Sequence, residues 1–317
     1  MLPNRFPDFA EEELEYNTVD ATLWLFVALY EYYKKFGDKE YVEAHFSKLT
    51  SILEWHFKGT RFNIHLTSEG FIYAGEGITQ LTWMDARVGD FVVTPRHGCS
   101  VEIQALWYNA LKIYDFFTKE IDCQPDANIL KTCNSVSKKL KTNFSTYFVN
   151  EAGYLNDVVV PNESTDDSIR PNQIYVVSLP FSLLTKAQEK KIVAVVKKEL
   201  YTPLGLRSLN PAHKDFKPIY KGDQWHRDTA YHQGTVWAFL LGDYFLAQLK
   251  VNNHSAKARK EVMAGIEALK PHFYEQDCIH GISEIFDGLN PTDGRGTTNQ
   301  AWSVSTLMLA YLQGELL

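Results

Sequence analysis

The sequence predicts an all-α protein in which helices pair into hairpins and the hairpins close into a toroid. Helices that are apolar almost all round alternate along the chain with helices that carry a single apolar face. The loops that enter the apolar helices are long, whereas the loops that leave them are short. Such a repeat is typical of a helical toroid or solenoid, in which every hairpin buries the face of its neighbour. The closed toroid is favoured because inner helices without a polar face need partners on all sides.

The first hairpin shows both kinds of helix. Residues 18–36 are apolar almost all round and end at Gly37, a typical helix stop, so they are predicted to form an inner helix. The next helix begins at Asp38, a candidate N-cap. Its apolar residues recur at helical spacing from Val42 to His56, with Lys and Glu opposite, as expected of an outer helix with one wet face.

The later elements repeat this order. Further inner helices are predicted at residues 101–117, 172–179, 234–248 and 300–312. Further outer helices are predicted at residues 129–147, 186–200 and 255–270. Thr185 and Gln188 have the spacing of a capping box at the start of one outer helix. With no segment that resembles a linker, residues 1–317 are predicted to form one domain of five inner and four outer helices.

The long loops, at about residues 58–99, 148–171, 201–233 and 276–299, all precede inner helices. They therefore open onto one end of the toroid. Long loops without secondary structure of their own are usually functional, so a site is predicted at that end.

Composition favours a neutral ligand. Aromatic residues reach 14%, and many stand beside Asp, Asn, Gln or His, a mixture common in carbohydrate sites as well as in large cores. The net charge is -7 and no block of Lys or Arg stands out, which argues against nucleic acid and anionic membranes as partners. The longest apolar helical run is too short to span a bilayer and the first residues lack a signal sequence, so the cytoplasm is the default location.

No metal or other cofactor is indicated. The four cysteines are scattered, without CxxC spacing or a paired framework. The six-residue spacing of His226 and His232 does not place them on one helical face.

Asp85, in the first long loop, is a candidate general acid. It stands close to Trp83, and a carboxyl desolvated by an aromatic wall keeps its proton more readily. The structural alternative is a loop aspartate that caps a turn or pairs with Arg87 or Arg96.

Two carboxylates in the last long loop, Glu284 and Asp287, could activate a water opposite Asp85, as in inverting glycosidases. Asp287 precedes Gly288 in a common turn pair, which favours Glu284 as the base and Asp287 as a structural residue.

Several motifs together resemble the glucosidase domain of glycogen debranching enzymes, the amylo-alpha-1,6-glucosidase family. They are PNRFPD (3–8), EYNTVDATLW (15–24), GTRFNI (59–64), YAGE (73–76), QLTWMDARVGDFVVTPR (80–96), VEIQALWYNAL (101–111), RPNQI (170–174), YTPLGLRSL (201–209), RDTAYHQGTVW (227–237) and QAWSV (300–304). The matches run from end to end of the chain, and their combination is far more specific than any one of them.

The resemblance implies an (α/α)6 barrel and inverting hydrolysis of the α-1,6-linked glucose at branch points of glycogen, amylopectin or a limit dextrin. It implies Asp85 as general acid and a general base in the ISEIFDG segment, which we carry over to Glu284 with Asp287 in reserve. Residues implied to bind glucose or shape the site are Tyr16, Asp20, Trp83, Arg170, Gln173, His232, Gln233 and Trp302.

Family members carry further helices with a W-G-R-D type motif before the PNRFPD stretch. The nine predicted helices are three short of a twelve-helix barrel, so the chain is expected to lack about three N-terminal helices. A non-catalytic glucan-binding remnant is therefore the alternative to an active glucosidase. A third interpretation, a terpenoid cyclase toroid, requires a DDxxD or DxDD motif, and the Asp166-Asp167 pair fails that test.

Overall fold

The computed structural model describes residues 1–9, 12–123, 125–314 and 316, and its long elements are helices. The α-helices are α1 (Asp20–Phe36), α2 (Lys39–Lys58), α3 (Val101–Glu120), α4 (Ala127–Phe148), α5 (Tyr175–Ser178), α6 (Lys186–Glu199), α7 (Gln224–Ala230), α8 (Leu240–Val251), α9 (Ala256–Glu267), α10 (Lys270–Glu275) and α11 (Ala301–Gln313). A 3-10 helix, Pro171–Ile174, leads directly into α5.

The predicted helix ends are confirmed where local hydrogen bonding sets them. Gly37 takes a left-handed conformation, with φ 65°, and its N–H donates to the carbonyl of Tyr33. The Asp38 carboxylate accepts a 3.0 Å hydrogen bond from the backbone N–H of Tyr41. The capping box of Thr185 and Gln188 is complete.

The helices predicted as inner are neighbours in chain order. Helix α1 packs on α3, α3 on α5, α5 on α8 and α8 on α11. The Gln313 amide of α11 donates a 2.6 Å hydrogen bond to Glu31 of α1, linking the first and last of them. Helix α3 is buried on all sides from Val101 to Leu111, whereas α4 buries one stripe that includes Cys133, Leu140 and Phe144. The predicted distinction between apolar and one-faced helices is confirmed for this hairpin.

In the described part of the chain, none of the helices has the length and apolar character needed to cross a membrane.

The prediction of an all-α protein is wrong in one respect, because the long loops and the segment just before α8 contain short strands. They are β1 (His65–Leu66), β2 (Ile72–Tyr73), β3 (Arg87–Val88), β4 (Phe91–Val92), β5 (Cys99–Ser100), β6 (Val158–Val160), β7 (Ser164–Asp166), β8 (Tyr201–Thr202), β9 (Gly205–Arg207), β10 (Val236–Trp237), β11 (Ile285–Phe286) and β12 (Gly294–Arg295). Buried loop backbone must pair its polar groups, and strands this short show no detectable alternation in the sequence.

The largest of these sheets joins two of the long loops to the segment before α8. Its order is β12-β11-β10-β9-β8, and all neighbours are antiparallel. Val236 lies between Arg207 and Phe286, and Trp237 lies between Leu206 and Ile285. Strand β10 therefore fixes the loop that carries Glu284 beside the start of an inner helix.

Three helix predictions need correction. The inner helix predicted at residues 234–248 begins at Leu240, because Val236 and Trp237 pair in β10. A short apolar run does not distinguish a buried strand from a buried helix. The segment predicted as one outer helix at 255–270 is α9 followed by the separate α10, and α7 lies in a segment predicted as loop.

The orientation of α11 can be tested by truncating two of its leucines. Leu307 is buried and Leu312 is 57% exposed. We expect Leu307→Ala to lower the free energy of unfolding by about 2–4 kcal/mol through lost burial and a cavity, and Leu312→Ala to change it by less than about 0.5 kcal/mol. Urea unfolding followed by circular dichroism measures both. Equal losses would contradict the observed face of the helix.

Candidate active site

A cavity of about 620 Å³ lies among the inner helices and receives side chains from the long loops. Six of the sequence-predicted site residues line it, namely Asp20, Trp83, Asp85, His232, Glu284 and Trp302. Its volume falls in the range of small-ligand sites, about 300–1,000 Å³. Side chains from five separate segments of the chain thus converge on one space.

Asp85 reaches this cavity from the loop before β3. Its side chain is exposed to solvent, yet neighbouring protein atoms partly desolvate the carboxyl. This desolvation, together with the negative charges of Asp20 and Glu284, raises its pKa from 3.8 to about 6, although a hydrogen bond from its own backbone N–H opposes the rise. Among the described residues, no ion pair joins Asp85 to Arg87 or to Arg96, so the predicted structural alternative of such a pair is not observed.

Asp20 lies at the start of α1 and faces the same cavity. Burial raises its pKa, opposed by hydrogen bonds from the Thr18 hydroxyl and the backbone N–H of Ala21, at 2.5 Å and 2.7 Å. Asp20, Asp85 and Glu284 are three of the six acidic residues that line this cavity, and repulsion among neighbouring carboxylates favours a proton on at least one of them.

Glu284 is held by hydrogen bonds to both carboxylate oxygens and is only 7% exposed. The Tyr231 hydroxyl donates to Oε1 at 2.5 Å, and the backbone N–H of Thr297 donates to Oε2 at 2.9 Å. Gly296 has φ 67°, and a Cβ there would lie 2.2 Å from Oε2, so this approach requires glycine. Donors on both oxygens orient the group as a hydrogen-bond acceptor.

Asp287 lies outside the cavity. Its carboxylate accepts a 2.9 Å hydrogen bond from the backbone N–H of Tyr220 and pairs with Arg295 at 3.1 Å. These contacts link two long loops. Of the two candidate bases, only Glu284 lines the cavity.

Aromatic rings form one wall of the cavity. Trp302 stacks on Phe239 with ring centroids 4.2 Å apart, and Trp83 meets the edges of Trp237 and His232 at 5.1 Å and 5.3 Å. Trp237 and Phe239 also line the cavity but were not among the predicted site residues. The sequence pattern predicted this apolar run as part of an inner helix. In the structure it includes β10, and Trp237 and Phe239 lie at the cavity instead.

Two ring N–H groups of the wall have no partner in the described structure. The backbone N–H of Ala86 donates to Nδ1 of His232 at 3.4 Å, which assigns the proton of the neutral ring to Nε2. Burial, aided by the charges of Arg170 and Arg96, lowers the pKa of His232 well below 6.5 and keeps it neutral. Its Nε2 and the Nε1 of Trp302 are both buried without a hydrogen bond. Both nitrogen atoms belong to residues that line the cavity.

A buried ionic cluster supports the loop that carries Asp85. Arg96 donates hydrogen bonds to both carboxylate oxygens of Glu102. Its Nε also donates to Asp157 at 2.7 Å. Asn172 donates to Asp157 at 2.7 Å and accepts a 2.8 Å hydrogen bond from Nε1 of Trp83. Trp83 is thereby fixed two residues before Asp85.

Three residues predicted to bind substrate lie behind this wall and do not line the cavity. Arg170 donates to the carbonyls of Ser208 and His232 at 3.2 Å and 2.9 Å, and to the Gln233 side chain at 3.0 Å. Gln173 donates to the carbonyl of Arg170 at 3.0 Å. All three predicted residues are less than 9% exposed. Their contacts hold the backbone that carries His232.

Tyr16 lines a second, smaller cavity of about 370 Å³ that adjoins the first at Asp85. The guanidinium of Arg61 lies over its ring, 5.0 Å from the centroid. The structure thus separates Tyr16 from the main cavity.

Comparison with known proteins gives one family. The family model described as amylo-alpha-1,6-glucosidase matches residues 1–309. The glycogen debranching enzyme of Saccharomyces cerevisiae is 26% identical over 305 residues, which cover 79% of this chain and 20% of that protein. The chain therefore spans about a fifth of the length of this curated relative.

Solved structures that are similar to this chain include a sialidase and a mannosylglycerate hydrolase. A sialidase has a TM-score of 0.62 at 14% identity, covering 88% of this chain and 24% of its own, and shows that the fold is shared. The mannosylglycerate hydrolase of Thermus thermophilus, solved in complex with glucose, has a TM-score of 0.47 at 13% identity, covering 68% of this chain and 45% of its own.

The raised pKa of Asp85 predicts how its replacement affects stability. Because the folded state holds this proton up to about pH 6 and the unfolded state only to about pH 4, folding of the wild type weakens as pH rises through that window. Asp85→Asn lacks this loss. We expect its melting temperature, relative to wild type, to increase between about pH 4 and pH 7.

Thermal unfolding at several pH values, with Asp287→Asn as the matched control, measures the effect. Because Asp287 pairs with Arg295, its replacement should remove stability at neutral pH. A loss of stability at pH 7 for Asp85→Asn would assign it a structural role instead.

Proposed function

We propose that this chain, which belongs to the amylo-alpha-1,6-glucosidase family, hydrolyses α-1,6-linked glucose at branch points of a glycogen-type α-glucan. The observation that carries the proposal is that Asp85, with a pKa raised to about 6, and Glu284, bound through both carboxylate oxygens, line one aromatic cavity. Two carboxyls in contrasting environments are the usual means of glycoside hydrolysis.

Asp85 is the proposed general acid. It donates its proton to the glycosidic oxygen as the bond from that oxygen to the anomeric carbon breaks. A carboxyl with a pKa of about 6 remains protonated under mildly acidic conditions, where an ordinary aspartate is ionised.

Glu284 is the proposed general base. It takes a proton from a water whose oxygen bonds to the anomeric carbon on the face opposite the leaving group, which inverts the configuration. The hydrogen bonds from Tyr231 and Thr297 leave further lone pairs of the carboxylate for that water. This mechanism requires the two carboxyl groups to be about 6.5–9.5 Å apart, with room for the water.

The remaining groups of the cavity suit a neutral sugar. The rings of Trp83 and Trp302 offer apolar surface for a pyranose, and the free N–H groups of His232 and Trp302 can donate to hydroxyl oxygens. Asp20 can accept from a hydroxyl. Because His232 is neutral, the cavity presents donors without a fixed positive charge.

We further infer that the inner helices belong to an (α/α)6 barrel. Their packing in chain order supports this arrangement. Helix α11 also exposes Met308 and Leu312, which line neither cavity and which a neighbouring barrel helix would cover.

Glucose release from 6-O-α-glucosyl-maltooligosaccharide tests the proposal. We expect the wild type to release β-glucose first, as inversion requires, and Asp85→Asn or Glu284→Gln to lower kcat by about 10²–10⁴-fold. Proton NMR of the fresh product distinguishes the anomers.

Asp287→Asn is the control for a nearby carboxylate outside the cavity, and its folded fraction should keep the wild-type rate. No release by a folded wild-type chain that still binds the oligosaccharide would refute hydrolysis by this chain and favour a glucan-binding function. Release of α-glucose would overturn the inverting mechanism.

The pH dependence tests Asp85 as the acid. We expect kcat/KM to fall about tenfold per pH unit above pH 6, because the carboxyl then loses the proton that it must donate. Since the charge of Asp20 raises the pKa of Asp85, Asp20→Asn should shift this limb to lower pH whatever it does to the maximal rate. If the fall in kcat/KM begins at the same pH in Asp20→Asn as in wild type, the charge of Asp20 does not raise the pKa of Asp85.

A further inference from the structure

A buried histidine contacts the loop that carries the proposed base. His272 lies in α10, is 1% exposed and lines neither of the two cavities. Its Nε2 accepts a 3.1 Å hydrogen bond from the backbone N–H of Ser283, the residue that precedes Glu284. Because a backbone N–H can only donate, Nε2 is unprotonated and the neutral ring carries its proton on Nδ1.

The surroundings of the ring favour this protonation state. Burial lowers the pKa of His272 below its ordinary value of 6.5, although the charge of Asp277 and the side chain of Gln276 oppose the shift. The ring is therefore neutral at neutral pH. Nδ1 lies 3.7 Å from a carboxylate oxygen of Asp277, a distance too long for a hydrogen bond but short enough for attraction of an N–H. The ring also meets Phe286 edge-on, with centroids 4.8 Å apart.

Side chains hold Ser283 at three of its atoms. Besides the bond from its N–H to His272, its hydroxyl donates to Asp277 at 3.2 Å, and its carbonyl accepts a 3.3 Å hydrogen bond from the Ser303 hydroxyl. Asp277 is held in turn by the backbone N–H of Gly294 at 3.0 Å. Ser283 is only 1% exposed, so water cannot replace an acceptor that is lost at its N–H.

We propose that His272 is a positioning residue for the general base: by accepting the hydrogen bond from Ser283, it fixes the backbone from which Glu284 extends. This inference rests on the proposed function. Tyr231 and Thr297 bind the carboxylate itself, whereas His272 acts on the chain one residue before it. Displacing a reacting group by about 1 Å can cost about 10²-fold in rate. Because His272 lines neither cavity, its removal should affect the chemical step more than the binding of substrate.

Two substitutions separate the hydrogen bond from the packing of the ring. Gln offers an acceptor at about the reach of Nε2, whereas Leu fills similar space without one. For 6-O-α-glucosyl-maltotetraose, we expect His272→Leu to lower kcat about 10–100-fold with KM changed less than about twofold, and His272→Gln to keep kcat within about threefold of wild type. Steady-state glucose release, corrected for the folded fraction, measures both. Equal losses of kcat in the two variants, or a change in KM alone, would contradict the proposal.

A double-mutant cycle shows whether His272 acts through the base. In the Glu284→Gln background, His272→Leu should lower kcat by less than about a further twofold, because no base remains to be positioned. The same loss in both backgrounds would mean that the histidine acts on the fold or on another group. His56→Leu is the matched control, since His56 is a buried histidine of α2 that lines neither cavity. Its folded fraction should keep the wild-type kcat.

NMR tests the contact without turnover. With histidine labelled by ¹⁵N and the signals of His272 assigned from their loss in His272→Gln, the ring should be neutral and protonated at Nδ1 at pH 7. Hydrogen exchange of the Ser283 amide should be about tenfold faster or more in His272→Leu than in wild type and His272→Gln. A proton on Nε2, or equal exchange in all three proteins, would overturn the inference. If the contact is present but folded wild type hydrolyses no branched oligosaccharide, the proposed function fails instead.

Discussion

The buried cluster of Arg96, Glu102 and Asp157 holds the segments around the site in one arrangement. Each of the three residues is less than 5% exposed, and they come from a long loop, the start of α3 and the segment before β6. Burying charges is costly unless every one is paired and hydrogen-bonded, and here the arginine donates to both carboxylates. Separating any of these segments from the others would leave an uncompensated buried charge. The cluster therefore favours one relative position of the three segments at this end of the helical assembly.

Hydrogen bonds connect this cluster to the segment of the proposed acid. The Asn172 side chain donates to Asp157 and accepts from Trp83, which stands two residues before Asp85. Asp85 itself has no ion-pair partner in the described structure, and partial desolvation of its carboxyl raises its pKa to about 6. Glu284, in contrast, accepts direct hydrogen bonds at both carboxylate oxygens.

The short strands explain how long loops can form a site at all. Loops are ordinarily mobile, but here β9, β10 and β11 pair across the mouth and bring segments that are far apart in the chain into fixed register. The segments next to these strands carry Tyr231 and Thr297, which donate hydrogen bonds to the two carboxylate oxygens of Glu284. Gly296, with a φ of 67°, allows the close approach of that carboxylate to the backbone.

Local sequence specifies the helices and many of their ends. Caps such as Asp38 and Thr185 and the stop at Gly37 depend on hydrogen bonds within a few residues, and the alternation of apolar and one-faced helices is written in side-chain periodicity. The three-dimensional packing was needed to show that Glu284 and not Asp287 enters the cavity, that Arg170, Gln173 and Gln233 stand behind its wall, and that Trp237 belongs to a strand. These outcomes depend on contacts between residues distant in the chain, such as Trp83 with Asn172 or Tyr231 with Glu284, which no local pattern encodes.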